Sequence, residues 1–156
     1  MRSRASVRGH PLHPTLIPFP LAFLIGGLVA DVAGALTESL DFATIGYYLL
    51  AAGVATGLVA GAVGAVDYAF TVPPRSSARK RATQHLALNL TSLALFWFAW
   101  FLRGGPGIQP EAVLIAFEVI AGGLLVAGGW IGGTLTFRNQ IGVDHRYARA
   151  GRWSER

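Results

Sequence analysis

Four histidines, and a few acidic residues set inside apolar stretches, carry the chemistry open to this 156-residue chain, which has no cysteine. Without thiols, disulfides, iron–sulfur clusters and thiolate catalysis are excluded, and a metal would have to be held by imidazole, carboxylate or carbonyl oxygen. The segment His10-Pro11-Leu12-His13-Pro14 comes first. A residue before proline is pushed out of the helical region, so both histidines are expected in an extended, polyproline-like stretch. That conformation repeats every three residues, which sets His10 and His13 on one side about 9 Å apart. Pro18 and Pro20 follow, and proline fits only a helix's first turn, so regular helix is expected to begin there. Further along, Asp67 closes an apolar run and His85 opens the next, with Asn89 and Ser92 continuing the His85 face at helical spacing. Counted by depth, His10, His13, Asp67 and His85 share one level. Two or three imidazoles plus a carboxylate suit a divalent transition ion, and two axial imidazoles suit the iron of a b-type haem. His13 and His85 are the expected primary ligands, with His10 and Asp67 as additional ligands or supports. The competing reading is structural: a proline-stiffened helix start, and Asp67 in an interfacial ion pair. His145 lies in a tail whose path the sequence leaves open.

Asp31 and Glu118 sit deeper, each inside an apolar run. A lone ionised carboxylate there costs on the order of 3 kcal/mol by insertion scales, so such residues face a bundle interior. They mark either a proton or cation path or hydrogen bonds between helices. Patterns of soluble enzymes are absent. The glycines lie inside apolar runs rather than in a phosphate-cradling loop, no serine stands at a nucleophile elbow, and no catalytic residue is assigned.

The elements that must position these groups are legible from composition. Hydrophobic residues make up 53% and charged residues 13%, with a mean hydropathy of +0.48, whereas soluble domains carry roughly 25% charge. Four apolar runs, at 16–36, 45–66, 86–102 and 113–135, approach the roughly 20 residues a membrane helix needs. They predict an all-α membrane protein, a four-helix transmembrane bundle running up-down-up-down. Of the 13 Lys and Arg residues, only Arg103 lies outside the segments 1–15, 71–84 and 138–156. Basic residues stay on the cytoplasmic side, so both termini are expected there, in a multi-pass protein of the cell's inner (plasma) membrane. The chain then divides into an N-terminal segment 1–15, a transmembrane domain 16–137 and a basic tail 138–156. The first run spans fully and lacks a small-residue cleavage site, so it is not expected to be a cleaved signal. The sequence pI of about 10.4 does not indicate nucleic acid, because the charges flank apolar runs and suit lipid headgroups. The lipid bilayer is the expected partner.

Glycine supplies the packing signal. Gly53, Gly57, Gly61 and Gly64 form one stripe, and Gly128, Gly129, Gly132 and Gly133 another. Small residues let helices approach in lipid, so the second and fourth spans are expected to touch through Gly57, Gly61, Gly128 and Gly132. A homodimer face is the alternative. No long-range repeat is legible, because the two helical hairpins carry different motifs.

These residues resemble a bacterial membrane family, domain-of-unknown-function family 2231. The likeness rests on His10-Pro11-Leu12-His13-Pro14, Phe19-Pro20, Asp31, Gly64-Ala65-Val66-Asp67, His85 with Asn89, Gly132-Gly133, and Phe137-Arg138 with Gly142-Val143. It covers nearly the whole chain. Relatives often carry a further histidine where this chain has Pro18. The resemblance implies four membrane helices without an established activity, and the likeness of some relatives to companions of redox proteins points toward haem or metal. The expected function is therefore a non-enzymatic membrane protein that binds haem or a divalent transition metal at its cytoplasmic face beside a redox partner. The alternatives are a small proton- or cation-conducting subunit and a membrane assembly partner.

Overall fold

The computed structural model describes residues 1–143, so His145 and most of the basic tail lie outside the described residues. A two-residue β-hairpin, β1 (Ser6–Val7) with β2 (His10–Pro11), precedes five helices. A short α1 (Leu12–Leu16) leads into α2 (Pro18–Thr37), followed by α3 (Leu40–Phe70), α4 (Ser77–Leu102) and α5 (Ala112–Phe137). Four spans, one of them combining α1 and α2, are long and apolar enough to cross a membrane.

The proline-rich start departs from the extended segment expected of it. His10 is extended in β2, but His13 is helical, inside α1. Pro14 sits in the first turn of that helix, where no N–H is missed. Two bonds override the local preference of a pre-proline residue: Leu12 N donates to Ala5 O at 2.9 Å across the hairpin, and the His13 ring bonds the distant Ala60 O at 2.8 Å. α2 then begins at Pro18, since Pro18 has no N–H to continue α1.

Helices outrun the apolar runs because polar residues continue a helix without adding hydropathy. α3 has 31 residues, about 46 Å at 1.5 Å per residue, against about 30 Å of hydrocarbon. It takes in Asp41 at one end and Asp67 at the other. α4 starts nine residues before its apolar run, because Ser76 caps it: the Ser76 Oγ accepts from Arg79 N at 3.1 Å.

α2 packs on α3 and α4 on α5 as two close hairpins, with thinner contact between the hairpins. Inside the first, Gly27 lies under Leu50 and Gly53 under Leu24, where an added Cβ would stand 2.7 and 2.6 Å from the opposing leucine. The hairpins meet over a core of Leu24, Leu50, Val54, Phe96 and Ala121. A smaller cluster of Val72, Ala78 and Ala82 closes the end that carries the basic residues.

The second and fourth spans, α3 and α5, are not packing partners, which corrects the expected glycine contact. Gly57 makes room for Leu93, Gly128 for Asn89 and Gly132 for His85, while Gly61 faces space open to beyond 4 Å. These glycines admit side chains from other helices, and a stripe of small residues specifies close approach without specifying by what.

The hairpins also repeat each other in space. Asp31 and Arg103 meet across 72 residues of sequence, and the same separation relates His13 to His85 and the buried Leu24 to the buried Phe96. The repeat lies in burial and position: a histidine matches a histidine, while leucine matches phenylalanine and aspartate matches arginine.

Candidate functional site

Each hairpin seats one imidazole in the same way. His13 Nδ1 lies 2.8 Å from Ala60 O, and His85 Nδ1 lies 2.8 Å from Gly128 O. A carbonyl only accepts, so in both rings Nδ1 carries the proton and donates, leaving Nε2 with a free lone pair. One helical turn beyond each carbonyl stands a glycine under the ring. An added Cβ at Gly64 would lie 2.7 Å from His13 Cε1, and one at Gly132 would lie 2.9 Å from His85 Cε1. The two ring centres are 6.2 Å apart at an interplanar angle of 88°. Asn89 supports the second ring's turn: its Nδ2 donates to His85 O at 2.7 Å.

Both histidines are half-buried and line a cavity of about 410 Å³ at the basic end of the bundle. Its deep wall is apolar, formed by Leu24, Leu93 and Leu125. Gly61, Gly129 and Gly133 give it flat faces, and a Cβ on any of them would meet nothing within 4 Å.

Asp67 reaches this wall, yet its carboxylate is occupied. It accepts from Ser3 Oγ at 2.6 Å, Thr71 Oγ1 at 2.7 Å, Arg4 N at 2.9 Å and Ala5 N at 3.3 Å. Its place is that of an anchor for residues 3–5. His10 is exposed in β2 and does not line the cavity. Among the described residues, no three His or acidic side chains come close enough to hold a bare ion.

At the other end of the bundle, Asp31 and Glu118 are fully buried, as is Arg103. Arg103 Nη1 donates to both Asp31 oxygens at 2.8 Å. Its Nε donates to Ile108 O at 2.9 Å, and its Nη2 to Ala43 O. The Glu118 carboxyl lies against that of Asp31. Gly46 has no side chain where the Asp31 carboxylate sits. Arg103 is the partner that sequence reasoning missed. Its signal was being the one basic residue on the wrong side of the charge asymmetry.

Comparison with known families gives a match over residues 9–145 to a family described as a predicted membrane protein, of unknown function. No curated protein and no solved structure matches the chain.

Proposed function

We propose that this chain, which belongs to domain-of-unknown-function family 2231, is an integral membrane protein that holds haem between His13 and His85. The observation that carries this reading is the shared ring seat. Each imidazole gives its Nδ1–H to a backbone carbonyl and keeps Nε2 free, the arrangement by which ligating histidines are fixed in tautomer and orientation.

The donor set favours haem over a bare ion. Two imidazoles with, among the described residues, no third ligating side chain leave a divalent transition ion short of the four or more donors it takes. A porphyrin would bring four nitrogens of its own and leave only two donors for the protein to supply. Ring centres 6.2 Å apart are close enough for both rings to reach one metal atom through bonds of about 2 Å. The apolar cavity of about 410 Å³ falls in the range of small-molecule pockets, roughly 300–1,000 Å³. Its glycine faces suit a flat ring. His13 and His85 would hold the group, the carbonyls of Ala60 and Gly128 orient the imidazoles, and the leucine wall excludes water. Bound there, haem would supply one-electron transfer. A redox protein on the basic side is the partner class this reading implies, with both termini in the cytoplasm of a cell whose inner membrane carries the chain.

The test is an absorbance spectrum of the protein purified from haem-supplemented cells, with His13→Ala, His85→Ala and His10→Ala beside it. A Soret band lost in the first two and kept in the third supports the reading. No Soret band in the parent, before or after adding hemin, sinks it.

A further inference from the structure

We propose that Glu118 is a proton-binding site in the half of the bundle away from the histidines, its proton held against the Asp31–Arg103 ion pair. The charged groups that face Glu118 are Asp31 from α2 and Arg103 from the end of α4, while α3 contributes the bare Gly46 and the Ala43 carbonyl. Arg103 is bound to both oxygens of Asp31, so one guanidinium already balances one carboxylate. A second carboxylate in this setting would be a buried charge without a counter-ion, which membrane interiors do not tolerate.

Contact between the two carboxyl groups leads to the same count. Two carboxylates offer only acceptors, so a hydrogen bond between them requires one proton. Asp31 is engaged by the guanidinium, which leaves the proton on Glu118. Glu118 is 1% exposed, and its Oε2 has no hydrogen-bond partner among the described residues. A buried acceptor of this kind marks a place for a donor. The Trp100 indole N–H is also buried without an acceptor. Trp100 packs on the core cluster that includes Ala121, one turn along α5 from Glu118. Proton exchange runs between the Glu118 carboxylic acid and water. Exchange is one for one: Glu118 gives up its proton as it takes another and remains the acid.

Infrared spectroscopy of the full chain in lipid nanodiscs at neutral pH tests this. The expected result is one carboxylic-acid C=O stretch per chain that shifts in D₂O and is lost in Glu118→Gln. Asp31→Asn should also remove it, because Glu118 must then ionise to become the counter-ion of Arg103. An absent band in the parent overturns the proposal, as does a band undiminished in Glu118→Gln or one that fails to shift in D₂O. If Asp31→Asn does not fold, Glu118→Gln decides alone, since amide for acid keeps size and shape.

Discussion

His85 stands 6.2 Å from His13, ring centre to ring centre and almost perpendicular at 88°, and each ring is held by its own hairpin rather than by the other ring. The pair is therefore a meeting of two finished seats. Variants that disturb one seat should leave the other standing.

Gly64→Ala and Gly132→Ala should each displace one imidazole, because the new Cβ would lie 2.7 or 2.9 Å from ring carbon. Overpacking of this kind costs about 1–3 kcal/mol, so thermal midpoints in detergent should fall. Gly61→Ala serves as control, since its Cβ meets nothing within 4 Å. Equal melting of all three would refute the seating role.

Arg103→Ala should be the most destabilising single change in the far half of the bundle. It leaves Asp31 buried without its partner, a loss of roughly 3–5 kcal/mol. Arg103→Lys should rescue little, because one ammonium cannot reach both Asp31 oxygens, Ala43 O and Ile108 O together. The paired change Asp31→Leu with Arg103→Met should recover stability relative to Arg103→Ala. Denaturant melts of the three proteins decide, and additive losses in the pair would count against the ion pair.

Asp67→Asn should loosen the segment ahead of α1 without unfolding the bundle. The amide accepts through one oxygen where the carboxylate takes bonds from Ser3, Arg4, Ala5 and Thr71. At about 1–3 kcal/mol for bonds to a charged group, amide hydrogen exchange and limited proteolysis of residues 1–11 should quicken. Unchanged protection there would remove Asp67 from the role of anchor.

A reporter fused after residue 156 should read as cytoplasmic and one inserted at 104–107 as external, as the distribution of Lys and Arg requires. A periplasmic C-terminus would reverse the orientation of both buried clusters.

The four membrane helices were legible because an apolar run of spanning length has few other uses. Depth counting brought His13 and His85 to one level, since each lies a fixed number of residues from the same side. Hidden from the sequence was whatever depends on rotation about a helix axis. Gly57 and Gly128 read as helix contacts and instead admit Leu93 and Asn89. Asp67 read as a ligand candidate, and its oxygens are turned to Ser3 and Thr71. Arg103 read as a loop charge, yet its long side chain folds back to Asp31. The spatial repeat escaped notice because, apart from His13 and His85, its matched places hold unlike residues, leucine against phenylalanine and aspartate against arginine.

The close packing inside each hairpin bears on the order in which the chain is made. The bond from His13 to Ala60 closes over 47 residues and that from His85 to Gly128 over 43, both within a hairpin. The first seat can be complete before α4 has left the ribosome, and the second forms without help from the first. Assembly then reduces to docking two prefolded halves, with Asp31 waiting, unpaired, for an arginine that arrives 72 residues later. That interval, between synthesis of α2 and of the end of α4, is when the half-built protein carries its most exposed liability to membrane quality control.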